Sequence, residues 1–300
     1  MAKRKKMRGI EEIKSRYGYR FVTPWVIGIL LFFIVPLIQS VLFSFSNVSV
    51  GENGLVLTNV KFDNYKYILF EDPTYMQNLP TALTDFAKTF PIVLILSLCL
   101  ALLLNGQFKG RTFYRSIYFL PVIIASGVVL EHLYFTMSDE NLVMTGVSQS
   151  MTANMIDIDS LIKNVGLPEE LVTYLSGAMA DIFDTIWKCG IPIVLFIAGL
   201  QTIPDTLYEV SKVEGATKWE EFWFITIPML SRVMLLVSVY IAVDIMTEKT
   251  NIIMTEAYNQ MNLLEYGLSG AMLWIYFILV GIVLGIIMLI YNKLCLKRWE

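Results

Sequence analysis

The chain has 300 residues, of which 56% are hydrophobic and only 16% are charged, and its mean hydropathy is +0.60. Soluble globular domains carry about 25% charged residues, so the composition excludes that class and predicts a helical membrane protein. The net charge of −3 hides a strong asymmetry in where the charges lie and carries no signal for nucleic acid.

The first twenty residues are predicted to be a basic cytoplasmic tail. Residues 1–20 hold eight Lys and Arg side chains against two glutamates. Positive charge beside an apolar run keeps that flank on the cytoplasmic side of a membrane, so we interpret the tail as a topogenic signal. The alternative is a contact with nucleic acid or with a specific lipid.

Six apolar runs are long enough to cross a membrane. A hydrocarbon core about 30 Å thick needs roughly 20 apolar residues in a helix. The runs cover approximately residues 21–45, 81–105, 116–135, 175–200, 227–246 and 267–291. The sequence therefore predicts an all-α, polytopic membrane protein with six transmembrane helices. Its transmembrane domain covers residues 21–293, and residues 294–300 form a short C-terminal tail.

Three of the connecting segments are predicted to lie outside the cell. Residues 47–80 are polar and carry a turn signal of glycines and asparagine. Residues 136–174 are the longest polar insertion, with six carboxylates and one lysine. Residues 248–266 form the last outside loop.

The distribution of cations decides the predicted orientation. The tail holds eight Lys and Arg residues, the loop after span two holds three, residues 204–228 hold two, and the C-terminal end holds three, sixteen in all. The opposite loops hold four. Since Lys and Arg favour cytoplasmic loops, both termini and residues 204–228 are predicted to be cytoplasmic.

Charged residues inside the spans are the candidate solute contacts. Asp181, Asp184 and Lys188 in span four follow an i, i+3, i+7 spacing and share one helical face, with Trp187 beside it. Charges within a bilayer are costly and usually face a cavity or a partner helix. Carboxylates with an aromatic ring suit a sugar, whose hydroxyls and apolar ring face need such groups. The alternative is a structural ion pair of Asp184 with Lys188; Asp244 in span five is a weaker candidate for the same pathway.

No residues are present that predict catalysis. A P-loop pattern, G-x4-G-K-[ST], does not occur, and neither does a nucleophile elbow or a cluster of metal ligands. We therefore expect no enzyme, no catalytic or metal site and no cofactor. Energy for transport has to come from a separate ATPase or from an ion gradient.

Residues 204–228 form a polar segment between two apolar runs, and we call this segment the elbow. Its first helix is predicted to end at Gly215, which can adopt the left-handed conformation that stops a helix. Thr217 and Glu220 have the spacing of a capping box, so a second helix can begin at once. Pro228 marks its junction with span five.

The elbow resembles the EAA loop of ABC-importer permeases. That family's signature reads E-A-A-x3-G-x9-I-x-L-P. The matching positions here are Glu209, Gly215, Ile225 and Pro228. The chain departs from the signature at Val210 and Ser211, which replace two alanines, and at Ile227, which replaces leucine.

Two further segments resemble the sugar-permease branch of this family. They are Phe119-Leu120-Pro121 after an arginine-rich loop and Ala101–Asn105 at the end of span two. The resemblance covers roughly residues 23–292. It implies the type I ABC importer permease fold and, as activity, half of a translocation pathway for a carbohydrate, with an oligosaccharide favoured.

The resemblance also implies which residues couple transport to ATP hydrolysis. A short helix at the membrane surface fits a cleft on the ATPase, and the following span transmits the movement. The implied coupling residues are Glu209, Ser211, Gly215, Ala216, Glu220, Ile225 and Pro228. Glu214, Glu220 and Glu221 are further predicted to offer acidity to basic residues of the ATPase.

The implied partners are those of a binding-protein-dependent importer. They are a second, homologous permease, two copies of a cytoplasmic ATPase, an extracellular substrate-binding protein and the lipid of a bacterial plasma membrane. Nucleic acid is not among them. Two other functions stay open: an ion-coupled secondary transporter acting through Asp181, Asp184 or Asp244, and a scaffold or receptor subunit without transport. The absence of an inverted repeat argues against the first.

Overall fold

The computed structural model describes residues 21–51, 54–106, 182 and 184–293. The predicted tails 1–20 and 294–300, span three and the insertion 136–174 lie outside the described residues. The chain divides into two compact units. Unit 1 comprises residues 1–76 and 256–275, and unit 2 comprises residues 77–255 and 276–300.

The described chain is mostly helical, with one β-hairpin. In chain order its elements are α1 (Phe21–Ser44), β1 (Ser46–Gly51), β2 (Gly54–Asn59), α2 (Asp63–Lys66), α3 (Pro73–Asn105), α4 (Gly190–Leu200), α5 (Asp205–Val213), α6 (Lys218–Thr247), α7 (Ile252–Asn262) and α8 (Tyr266–Tyr291). The hairpin corrects the prediction of an all-α chain.

Four helices in the described part are long and apolar enough to cross a membrane: α1, α3, α6 and α8. Helices α4 and α5 meet at a bend of 66° and bring the number to five if they form one broken span. The prediction of six transmembrane helices stays a prediction, because span three and the first part of span four are not among the described residues.

Helix α3 begins earlier than the apolar run predicts. It starts at Pro73 instead of about residue 81 and contains 33 residues. The side chain of Asp72 caps it, since Oδ1 accepts the backbone N–H of Thr74 at 2.9 Å and of Tyr75 at 3.3 Å. Proline at the first helical position suits this start, because its missing N–H has no partner there anyway.

In unit 1 the hairpin is fixed to the end of α1. Strands β1 and β2 pair antiparallel from Ser46 opposite Asn59 to Gly51 opposite Gly54. The Asn64 side-chain amide donates to the carbonyls of Ser44 at 3.0 Å and Ser46 at 3.2 Å. The sequence predicted only a turn here, since each strand has six residues and no strong alternation.

Residues 248–266, predicted as the last outside loop, also contain structure that the sequence did not predict. Helix α7 occupies eleven of its residues, and the Asn251 side chain starts it by accepting the N–H of Ile253 at 3.0 Å. In unit 1, Ser269 of α8 donates to the Ala257 carbonyl of α7 at 2.7 Å. The loop therefore contains a folded helix that is hydrogen-bonded to the first turn of α8.

Unit 2 is built around the contact between α4 and α6. Ile193 and Phe196 of α4 are fully buried with Leu230 and Val237 of α6. Between apolar helices in lipid, close van der Waals packing provides the attraction, and small residues permit it. Gly199 serves this purpose, because a Cβ there would lie 2.8 Å from Cγ1 of Val233.

Candidate functional site

The elbow has the helix–glycine–helix structure that the sequence predicts. Helix α5 ends at Val213, and Gly215 takes a φ of +82°. The Gly215 N–H donates to the Lys212 carbonyl at 3.2 Å, and the Ala216 N–H donates to the Ser211 carbonyl at 2.9 Å. These two bonds form a Schellman motif, which satisfies the last carbonyls of the helix and turns the chain.

The predicted capping box opens α6. The Thr217 N–H donates to Oε2 of Glu220 at 2.7 Å, and the Glu220 N–H donates back to Oγ1 of Thr217 at 3.4 Å. The bond from the Thr217 backbone lowers the pKa of Glu220 below its usual range. Glu220 therefore stays ionised and completes the start of the helix.

The second helix of the elbow and span five are one continuous helix. Helix α6 runs for 30 residues from Lys218 to Thr247. It passes through a π-helical turn, Phe222–Thr226, directly before Pro228. At the predicted junction the helix is therefore continuous and locally widened. The π-helical turn accommodates Pro228, which has no N–H to donate to a carbonyl in the preceding turn.

A buried polar group joins the two helices of the elbow. Glu221 is 5% exposed; its Oε1 accepts the hydroxyl of Ser211 at 3.2 Å, and its Oε2 accepts Nζ of Lys218 at 2.6 Å. The bond from Lys218 lowers the pKa of Glu221. The prediction that Glu221 offers its charge to an ATPase is therefore wrong, because the carboxylate faces inward.

The outward face of the elbow is mixed in character. Glu209 and Glu214 are exposed, together with Gly215. Val210 and Val213 are also exposed, by 57% and 89%. The two valines lie three positions apart on α5 and therefore place a short apolar strip beside the carboxylates.

The remaining predicted coupling residues lie between these faces. Ala216 is half-buried at the turn. Ile225 is half-buried and packs against the core of unit 2. Ile225 thus connects the elbow to the membrane helices and is not part of its outward face.

The in-span charges form a second polar group, and its centre is Lys188. Its Nζ lies 2.5 Å from Oδ2 of Asp184 and 2.9 Å from Oε2 of Glu248. The ion pair of Asp184 with Lys188, predicted as the structural alternative, is present. Asp244 on α6 is half-buried and within electrostatic reach of this pair. Glu248 was missed because the sequence assigned it to a loop.

The other predicted pathway residues are less informative. Trp187 is half-buried on the same helical turn as Lys188. Asp181 lies outside the described residues. Within the described part, no group of three or more His, Cys, Asp or Glu side chains is arranged to hold a metal ion.

Proteins of similar sequence include permease subunits of sugar transport systems. No protein-family model matches the chain. The probable ABC transporter permease protein YesP of Bacillus subtilis is 25% identical over 93% of this chain and 91% of its own length. The trehalose/maltose transport system permease protein MalF of Thermococcus litoralis is 26% identical over 89% and 90%. The arabinooligosaccharides transport system permease protein AraP of Bacillus subtilis is 28% identical over 77% and 69%.

Comparison with solved structures addresses the fold. A chain from the crystal structure of a bacterial ABC transporter involved in the import of the acidic polysaccharide alginate matches with a TM-score of 0.59 at 19% identity. The match covers 95% of this chain and 98% of that one. In sequence and in fold the chain is similar to permease subunits of ABC importers, and the resemblance inferred from the elbow is confirmed.

Proposed function

We propose that the protein is a permease subunit of a carbohydrate ABC importer. It forms half of a translocation pathway. A cytoplasmic ATPase binds the elbow, and the conformational change of the ATPase moves the elbow. The observation that carries this proposal is the continuity of α6. Because the second helix of the elbow and span five are the same helix, a displacement of the elbow is transmitted to the membrane.

The substrate class follows from the relatives. Proteins similar to this chain are named for arabinooligosaccharides, for trehalose and maltose, and for alginate. Their common feature is a carbohydrate, and most are larger than a monosaccharide. An oligosaccharide is therefore the proposed solute.

The proposed assembly has a second, homologous permease, two ATPase subunits and an extracellular substrate-binding protein in a bacterial plasma membrane. One of the matching structures contains a periplasmic protein bound to an alginate pentasaccharide, which supports a binding-protein partner. The asymmetry of cations supports a topology with residues 1–20, the elbow and residues 294–300 in the cytoplasm and residues 136–174 outside.

The proposed solute pathway passes the second polar group. Its candidate contacts are Asp181, Asp184, Trp187 and Asp244. Lys188 has a different part in this proposal: its ammonium is already held by Asp184 and Glu248. It ties the turn before α4 to the end of α6 and keeps the carboxylates from repelling one another.

Uptake into proteoliposomes tests the function. The chain is co-expressed with the candidate second permease, ATPase and binding protein. The purified complex is reconstituted into lipid vesicles that contain ATP. Labelled maltooligosaccharides and arabinooligosaccharides serve as solutes. We expect uptake that requires ATP and an ATPase with an intact P-loop lysine, and that a protonophore leaves unchanged. Uptake driven by a proton gradient without ATP would contradict the proposal and favour the ion-coupled transporter.

A further inference from the structure

We propose that Ser211 and Glu221 are positioning residues that lock the two helices of the elbow into one rigid body. The inference rests on the proposed function of the elbow as the coupling element. It assigns to Glu221 a part in force transmission, although its carboxylate is buried inside the subunit.

The need for a lock follows from how little of α5 is buried. Of its nine residues, Asp205–Val213, only Ser211 is buried and only Tyr208 is half-buried. The other seven are exposed. Among the described residues, the apolar packing of α5 against the core of unit 2 is therefore limited to Tyr208, and the link through Gly215 offers a flexible backbone.

Both of these residues of α5 bond to the beginning of α6. The Ser211 hydroxyl lies 3.2 Å from Oε1 of Glu221 and 3.0 Å from the Tyr208 carbonyl. The Tyr208 hydroxyl lies 3.0 Å from Oγ1 of Thr226. Each residue that faces inward on α5 thus has a polar partner on the other helix.

The two links are themselves connected. Thr226 donates its hydroxyl proton to the backbone carbonyl of Glu221 at 3.3 Å, and Thr226 and Glu221 are each 5% exposed. Lys218 neutralises the Glu221 carboxylate, which a buried charge requires. Hydrogen bonds to an ionised group are about twice as strong as those between neutral groups. The one proton of the Ser211 hydroxyl is divided between Oε1 of Glu221 at 3.2 Å and the Tyr208 carbonyl at 3.0 Å, so the two links are comparable in strength.

This arrangement explains one departure from the family signature. The second alanine of the signature is Ser211 here, and a hydroxyl is the smallest group that reaches the carboxylate of Glu221. A permease with alanine at this position lacks that bond. The serine at this position therefore has a role only in a chain that also has the buried glutamate.

The experiment measures how much solute is imported per ATP hydrolysed by the reconstituted complex. The variants are Ser211→Ala, Glu221→Gln and the double variant, with Ser211→Thr as the conservative change that keeps a hydroxyl. Thr247→Ala is the matched control, because it removes an exposed hydroxyl from α6 at the end away from the elbow. ATPase recovery and ATP hydrolysis are recorded for every variant.

We expect Ser211→Ala to lower import per ATP by about tenfold, the effect of losing one hydrogen bond to a charged group, while the ATPase still co-purifies and hydrolyses ATP. Glu221→Gln keeps an acceptor oxygen for the Ser211 hydroxyl and loses only the charge, so we expect a smaller loss of import per ATP. The double variant is expected to be no worse than Ser211→Ala alone, and Ser211→Thr is expected to keep coupling near that of the wild type. Glu221→Gln is isosteric; if it fails to fold, Ser211→Ala carries the test alone.

The inference is overturned if Ser211→Ala and Glu221→Gln import as much solute per ATP as the wild type. It is equally overturned if their effects add in the double variant or if Thr247→Ala gives the same loss. Failure of the proposed function looks different, because then the wild-type complex itself shows no ATP-dependent uptake.

Discussion

A substitution at Gly215 can change the surface of the elbow while leaving its backbone conformation intact. Its φ of +82° lies in the left-handed region, where a residue with a Cβ costs about 1–2 kcal/mol and Asn costs less. Apart from Gly215 and its two neighbours in sequence, no atom of the described residues lies within 4 Å of the Cβ that a side chain would add. Gly215→Asn therefore adds no clash within the subunit and little strain.

We expect Gly215→Asn to leave the melting temperature of the purified permease within about 4 °C of wild type, since a loss of about 1 kcal/mol has no larger effect in a chain of this size. It is expected to reduce recovery of the ATPase at least tenfold, because the amide projects from the exposed turn. Recovery of the second permease is expected to be unchanged.

Pull-down of the complex with quantification of each subunit measures this outcome. Gly215→Ala is the companion variant, since it brings the backbone strain with the smallest side chain. An Asn variant that recovers as much ATPase as wild type would refute the reasoning, because the surface at Gly215 would then not be covered by the partner.

Three further predictions concern stability. Lys188→Gln is expected to destabilise the permease by about 1–3 kcal/mol, which is less than the loss of a fully buried ion pair because the carboxylates are partly exposed. Adding Glu248→Gln should recover part of the melting temperature, and no recovery would contradict the ion pair of Lys188 with Glu248. Thr217→Ala should cost about 0.5–2 kcal/mol by removing the cap and speed hydrogen exchange in the first turn of α6; unchanged exchange would argue against the capping box. Gly199→Ala should lower the melting temperature by overpacking, at about 1–3 kcal/mol, and Val233→Ala should relieve it; an additive loss would contradict the close contact.

The local structure of the elbow is predictable because its signals are local. A capping box, a glycine at the helix end and a proline at the membrane boundary each act within four residues of the chain. The structure places Gly215 and Thr217 in those conformations. Such motifs do not depend on distant partners, so the sequence alone suffices.

The boundaries of α3 and α7 illustrate a different limit. Asp72 and Asn251 cap these helices with their side chains, and an Asp-Pro pair at residues 72–73 is a helix-start signal. Apolar runs indicate where a chain crosses lipid and carry no signal for polar helical turns outside it. The capping residues in the loops are the signal that marks both starts.

The partners of Glu221 and Glu248 could not be read from the sequence. Glu221 meets Ser211 ten residues away, across a turn whose closure has to be known first. Glu248 meets Lys188 across 60 positions, because α6 ends beside the turn that precedes α4. A carboxylate in a loop looks solvated until the fold brings it to a cation.

The central claim, that the elbow docks on an ATPase, is tested most directly by crosslinking. A photoreactive amino acid is placed at Val213, which is 89% exposed on the elbow, and in a second protein at Phe62, which is 69% exposed in the predicted outside segment 47–80. In the assembled complex we expect the ATPase to crosslink at Val213 and not at Phe62. Crosslinking of the ATPase at Phe62, or none at Val213 in an assembled complex, would contradict the account.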